Sequence, residues 1–348
     1  MGSFHKARKR AILTGTALLV SVGLLAGCTG TGADEDSVVD QGTTTEENAE
    51  TGDTVVIGFS GPAADHGWLG AINTAAIAAA DSFPDVDLKI AEGTNDPIAQ
   101  IAAVETFVNE GVDAIVLLPT DGAALTEAAL AAMEAGIPVI NVDREFSSPF
   151  AARTTVLGDN YGMGVSAGTY ICEQLDGTSD AVVAEIAGID SLPLTQDRSQ
   201  GFADALADCD LEVNARVAAD FTVAGGEAVT SQLLAANPKI DAIWNHDDDQ
   251  GVGVLAAIAS ANRDEFFMVG GAGSLAAMEA IEAGDSVLQA TVIYPSTQAA
   301  DGVALARLIA QAKTMGDLIT PGIPNRIVLE APVVTKDNVA DFMKIGFE

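Results

Sequence analysis

From residue 54 onward the chain repeats one beat: a short apolar run, then an Ala-rich stretch with helical spacing. The runs fall at 54–60, 86–91, 113–118, 137–142, 154–157, 181–187, 211–218, 242–245, 266–270, 287–293 and 326–331. Most are nearly continuous in β-branched and other apolar residues, as strands buried on both faces are. Strands of that kind alternating with helices predict an α/β fold with parallel sheets covered on both sides. Asp96-Pro97 supplies an N-cap and a proline for the first helical position. Glu134-Ala135-Gly136 and Glu282-Ala283-Gly284 end two helices on a glycine. The run Asp113-Ala114-Ile115-Val116-Leu117-Leu118-Pro119 recurs in outline as Asp241-Ala242-Ile243-Trp244-Asn245-His246-Asp247. Two similar halves predict two similar lobes, with strand ends of both facing one cleft.

The stretch Ile137-Pro138-Val139-Ile140-Asn141-Val142-Asp143-Arg144 is one such strand ending on opposite charges. Open α/β sheets bind ligands at the carboxyl ends of their strands. Asp143 accepts hydroxyl hydrogen bonds and Arg144 offers a planar fork of donors. That suits a polar, uncharged, hydroxyl-rich molecule, with a purely structural ion pair as the other reading.

The first ten residues carry Lys6, Arg8, Lys9 and Arg10, and an apolar run from Ala11 to Leu25 follows. Such a start reads as a secretory signal, and the run is short for a membrane span. Residues 29–53 are rich in Asp, Glu, Gly and Thr, with no Lys, Arg or aromatic residue. That composition predicts a solvated tether. Removal of the four positive charges in residues 1–27 takes the formal net charge from −34 to −38. Such a field repels nucleic acid and anionic headgroups. Beyond Cys28 the only cysteines are Cys172 and Cys209. Both are expected on helices of one lobe, either bridged or as two buried thiols.

The only tryptophans are Trp68 and Trp244, and beyond His5 the only histidines are His66 and His246. They sit in Asp65-His66-Gly67-Trp68 and Trp244-Asn245-His246-Asp247-Asp248-Asp249, each at the end of a strand. An aromatic face covers the C–H patches of a sugar, and charged or imidazole groups bond its hydroxyl rim. Trp68 is expected at the ligand, with a core role as its alternative, whereas Trp244 lies inside a strand and is expected in the core. Gly164-Val165-Ser166-Ala167-Gly168 matches the nucleophile-elbow pattern. Asp159-Asn160 instead predicts a helix start, which would place Ser166 inside a helix, with His246 as the only downstream base. Two loose dinucleotide fingerprints, at Gly162 and Gly251, show how little that pattern says, and three aspartates precede the second. Asp247-x-Asp249 opens like a calcium loop, but its twelfth position is Ile258. A metal site of His66, His246 and an Asp competes with simple hydrogen bonding by histidine, and the second is favoured. No metal or cofactor is expected.

With these residues in view, the chain resembles the sugar-binding proteins of bacterial ABC importers, in the ribose-binding-protein-like group. The resemblance spans about residues 54–334. It rests on Asn95-Asp96-Pro97, Leu118-Pro119-Thr120-Asp121, Val142-Asp143-Arg144, Gly158-Asp159-Asn160, Arg198-x-x-Gly201-Phe202, Asp220-Phe221 and Val269-Gly270-Gly271. Leu25-Ala26-Gly27-Cys28 resembles a lipobox, which implies cleavage after residue 27 and lipidation of Cys28. The family resemblance implies a type I periplasmic binding protein fold, two Rossmann-like lobes joined by a three-segment hinge. The implied division is a signal at 1–27 and a lipidated tether at 28–53. Residues 54–158 with 294–325 form the first lobe, and 159–293 with 326–348 the second. The implied ligand set is Asp65, His66, Trp68, Asp143, Arg144, Gln196, Phe221, Asp247 and Tyr294. Gln196 stands where the ribose binder has an arginine, Asp247 replaces an asparagine, and Tyr294 replaces a glutamine. Ala272 stands where many relatives have a ligand-binding aspartate. These departures turn the expectation from ribose toward a hexose, a linear polyol or a cyclitol.

The function so implied is non-catalytic. A monomeric, membrane-anchored receptor outside the cytoplasm would capture a neutral monosaccharide or polyol and pass it to an ABC permease. A chemosensory or quorum-signal receptor is the alternative, and a hydrolase using Ser166 a remote one. A transcriptional regulator of the same core would need a DNA-binding helix pair in place of the signal and tether.

Overall fold

The computed structural model describes residues 43–348 apart from 177, 179, 317, 319 and 320. The expected signal and Cys28 lie outside the described residues. A short helix, α1 (Thr45–Ala49), precedes a first run of β1 (Val55–Ser60), α2 (Gly67–Ser82), β2 (Val86–Ile90), α3 (Pro97–Glu110), β3 (Ala114–Leu117), α4 (Gly122–Glu134), β4 (Val139–Val142) and β5 (Thr154–Gly158). The chain then enters α5 (Asn160–Gln174), β6 (Val183–Ala187), α6 (Pro193–Ala207), β7 (Val213–Ala218), α7 (Val223–Ala236), β8 (Ala242–Asn245), α8 (Asp248–Ala261), β9 (Phe267–Ala272), α9 (Leu275–Ala283) and β10 (Leu288–Ile293). It returns through α10 (Gln298–Ala310) and β11 (Arg326–Leu329), then continues through β12 (Val333–Thr335) and α11 (Val339–Phe342) into a 3-10 turn, Met343–Ile345.

The strands form two six-stranded sheets, ordered β11-β5-β4-β3-β1-β2 and β12-β10-β9-β8-β6-β7. Among the described residues, every strand pairing is parallel except that of β10 with the short β12. This is the α/β, two-lobe arrangement that the sequence beat predicts. The central strands β3, β4, β6 and β8 are buried at every position, as strands covered by helices on both faces must be. The edge strands β2 and β7 alternate toward solvent. Asp96 caps α3 by accepting from the Ile98 amide, with Pro97 at the first helical position. Gly284 closes α9 in the left-handed conformation, and Gly136, also at positive φ, follows the end of α4.

Three segments cross between the lobes: β5 into α5, β10 into α10, and β11 into β12. Helix α10 packs on α2 and on β1, β3, β4 and β5, so it belongs to the first lobe. The last crossing corrects an expected boundary. Residues 326–329 pair with β5 of the first sheet, so the chain changes lobe after Leu329 and not before Arg326. A strand's own sequence does not name its sheet partner.

The acidic stretch expected to be solvated through Asp53 is also corrected, because from Thr43 it is built onto the first lobe. Thr44 and Glu47 form a capping box on α1. Buried Arg307 donates to the Asn48 carbonyl at 2.7 Å and the Glu50 carbonyl at 2.8 Å, while its Nε and Nη2 grip Asp85 at 2.7 and 2.6 Å. The Gly52 amide donates to the same carboxylate at 2.6 Å. Backbone carbonyls satisfy this guanidinium, and composition carries no trace of them.

Cys172 and Cys209 are bridged. Cys172 lies on α5 as expected, but Cys209 stands in the turn after α6.

Candidate functional site

The carboxyl ends of the strands of both sheets converge on one group of polar and aromatic side chains. The first lobe contributes the loop after β1, with Asp65, His66 and Trp68, and the turn after β4, with Asp143 and Arg144. The second contributes Asn160, Arg198, Phe221 and Asp247, and the crossing after β10 contributes Tyr294. Asp143, Phe221 and Ala272 sit at φ of 64°, 65° and 86°, a region side chains other than glycine avoid. All three are at or just beyond strand ends, and such strain gathers at functional sites.

A hydrogen-bonded chain crosses from one lobe to the other. Tyr294 donates its hydroxyl to Asp143 Oδ1 at 2.5 Å and accepts from Asn160 Nδ2 at 3.1 Å. Asn160 Oδ1 accepts from Arg198 Nε at 2.9 Å, and Arg198 Nη1 donates to the His246 carbonyl at 3.1 Å. The Arg198 guanidinium lies 4.5 Å from the Tyr294 ring centre and 6.0 Å from that of Phe221. The Trp68 ring is 5.3 Å from that of Tyr294, and its Nε1 donates to the Tyr294 carbonyl at 3.1 Å. Burial, reinforced by the Asp143 carboxylate, pushes the Tyr294 phenol far up and keeps it a donor.

Asp247 caps α8 by accepting from the Gln250 amide at 3.0 Å. Burial and neighbouring Asp249 push its carboxyl up to about 6. His66 Nδ1 lies 3.4 Å from Asp249 Oδ2, and its ring centre is 6.3 Å from that of Phe221. Burial alone would lower the His66 pKa, but Asp249, Asp247 and Asp65 outweigh it and raise it. Asp65 accepts from Asn95 Nδ2 at 2.9 Å. Arg144 pairs with Asp143 at 3.6 Å and donates to the Thr120 carbonyl at 2.9 Å, so its fork is spent partly on holding the turn. A cleft of about 560 Å³ opens beside this group, with Asp143, Arg144 and Asn160 on its wall and Leu192 and Pro193 on the second-lobe side.

Gln196 is not brought to this group. It is exposed and donates to the Asp190 carbonyl. Arg198, on the same helix, is the residue that reaches the centre. Two residues are about 200° apart around a helix, so the two side chains take opposite faces. The signal was present in Arg198-x-x-Gly201-Phe202, where all three named residues are buried on one face of α6. Asn160, in Gly158-Asp159-Asn160, also reaches the group, although its place at a helix start did not mark it as a site residue.

Trp244 is fully buried against Phe202 and His246, as its place in a strand predicts. His246 is also fully buried and pairs through Nε2 with Glu185 at 2.9 Å; burial lowers its pKa to about 4, so it is neutral. Ser166 lies inside α5 and donates to the Ala331 carbonyl. Its neighbours Gly164 and Gly168 face α6, where a Cβ would strike the backbone of Arg198 and the side chain of Ala205. The elbow-like pattern is therefore helix packing. Among the described residues no helix is long and apolar enough to cross a membrane.

Two α/β lobes, joined by three crossings and closing on a polar and aromatic group, define a two-lobed solute-binding protein. A family model described as a periplasmic binding protein domain matches residues 57–314, and the chain belongs to that family. The ribose import binding protein RbsB of Bacillus subtilis is 33% identical over 221 residues, covering 62% of this chain and 70% of that protein. A putative rhizopine-binding protein of Rhizobium meliloti is 28% identical over 274 residues, covering 76% of this chain and 84% of the relative. Among solved structures, an ABC transporter solute-binding protein of Bacillus halodurans with bound myo-inositol superposes with a TM-score of 0.74 at 24% identity. It covers 85% of this chain and 99% of its own, and shows the shared fold. The fructose-binding periplasmic domain of a hybrid two-component system superposes with a TM-score of 0.71 at 27% identity, covering 83% of this chain and 93% of its own. These relatives are solute-binding proteins, and the family works outside the cytoplasm.

Proposed function

We propose that this protein captures a neutral monosaccharide or polyol between its lobes and delivers it to an ABC import permease. The observation that carries this reading is the chain Asp143–Tyr294–Asn160–Arg198, which runs from one lobe to the other with aromatic faces beside it. A hydroxylated ring needs such alternating donors and acceptors, and contacts made from both lobes favour the closed form. Asp65, His66 and Asp247 extend the polar wall, and Trp68 and Phe221 its apolar faces. No bond is made or broken, so the site needs no nucleophile, metal or cofactor for capture. The protein works as a monomer tied to the outer face of the membrane through a lipidated Cys28. A sensory reading has support in the likeness to a fructose-binding domain of a two-component system, and differs only in the downstream partner.

The test is a thermal-shift and calorimetric screen over pentoses, hexoses, polyols and cyclitols. A cognate ligand at a hundredfold excess over its dissociation constant stabilises by about 2.7 kcal/mol. No response to any sugar or polyol would overturn the reading. Incorporation of labelled fatty acid into the wild type but not into Cys28→Ser tests the anchor.

A further inference from the structure

His66, Asp247 and Asp249 meet where the loop before α2 of the first lobe faces the start of α8 of the second. One ligand atom from each lies within 4.8 Å of the other two. His66 Nδ1 is buried without a hydrogen-bond partner. Its 3.4 Å separation from Asp249 Oδ2 is long for a charge-assisted hydrogen bond, which closes to about 2.7–2.9 Å. Two ligand atoms, each about 2.1 Å from a tetrahedral cation, stand about 3.4 Å apart.

The surroundings hold these groups in place. Asp249 Oδ2 accepts from the Trp68 amide at 3.0 Å, and Asp247 Oδ1 from the Gln250 amide at 3.0 Å. On the other side of the imidazole, Asp65 Oδ1 lies 3.9 Å from Nε2, beyond hydrogen-bond reach, and adds only negative charge there. A Cβ on Gly67 would come within 2.5 Å of Asp249 Oδ1, so glycine is what lets the carboxylate approach this loop. One imidazole with two carboxylates suits zinc and its neighbours; calcium and magnesium prefer all-oxygen sites.

We infer that His66, Asp247 and Asp249 bind a divalent transition-metal cation of the zinc class, which clips the first lobe to the second. His246 is not one of the three converging residues, and its Nε2 pairs with Glu185. Three protein ligands leave a further coordination position for water or a hydroxyl. The clip shares His66 and Asp247 with the proposed sugar site, but metal binding is measured with no sugar present, so failure of one reading is distinguishable from failure of the other.

The test uses full-length, tag-free protein in detergent, stripped with a chelator. Calorimetry with Zn²⁺ should show one saturable site, and Ca²⁺ should give none. Co²⁺ should produce the visible absorption of a low-coordinate site. His66→Ala should weaken Zn²⁺ binding by more than thirtyfold and abolish the Co²⁺ bands. Gly67→Ala, which removes no ligand residue but pushes the Asp249 carboxylate out of position, should weaken it as well. Absence of Zn²⁺ binding, or binding and Co²⁺ bands unchanged in His66→Ala with a native circular dichroism spectrum, would overturn the inference.

Discussion

At the scale of single residues, α6 separates two neighbours that the sequence confuses. Arg198 is buried and ties Asn160 to the His246 carbonyl, while Gln196 faces solvent. Hydrogen bonds to a charged group contribute about 1.5–3 kcal/mol each. Arg198→Ala should therefore weaken sugar binding about a hundredfold by calorimetry, and Gln196→Ala should change it less than twofold. Equal losses in the two variants would remove Arg198 from the site. Tyr294 gives a second expectation. Tyr294→Phe leaves the Asp143 oxygen without its donor, and an unsatisfied buried group costs about 1–3 kcal/mol. Urea unfolding should register that loss without any ligand. Asp143 and Trp68 were read from the sequence because strand ends are where such sheets place polar and aromatic side chains, whereas Tyr294 came only from the family resemblance. Arg198 was not singled out, because a linear motif hides the rotation of a helix.

At the scale of elements, the second lobe depends on how closely α5 and α6 cross. A Cβ on Gly164 would strike the Arg198 carbonyl oxygen, and one on Gly201 the Tyr161 carbonyl oxygen. Backbone cannot yield as a side-chain end can, so Gly201→Ala should cost about 1–3 kcal/mol of stability in denaturant unfolding. The Cys172–Cys209 bridge, 37 residues apart, staples the same crossing. By loop entropy, its replacement by two serines should cost about 4 kcal/mol. If both changes proved neutral, this crossing would not set the stability of the lobe. The strands themselves were legible because β-branched runs buried on both faces leave few alternatives. The lobe assignment of β11 was not, since a parallel partner is chosen by tertiary packing. Nor was β12 seen, which is only three residues long.

At the scale of the whole molecule, Arg307 and Asp85 join the segment after Thr43 to the first lobe. The ion pair is almost fully buried, and both partners also hold backbone groups of residues 48–52. The Arg307 guanidinium holds the Asp85 carboxyl well below the usual carboxylate range. In the unfolded chain the same carboxyl titrates near about 3.9. Below that point the unfolded chain binds a proton that the folded one refuses. The contribution of Asp85 is therefore complete above about pH 4 and is lost as the pH falls further. The net charge of −34 acts the other way, since protonating other carboxylates on acidification relieves self-repulsion. The observable is therefore the difference between two proteins. Asp85→Asn leaves Arg307 buried without its counter-charge, which should cost about 3–5 kcal/mol at pH 7. That gap from the wild type should narrow steadily between about pH 4 and pH 2 in urea unfolding. A gap of constant size over that range would mean that the paired carboxylate does not govern acid stability, and that hydrogen bonds alone hold the segment down.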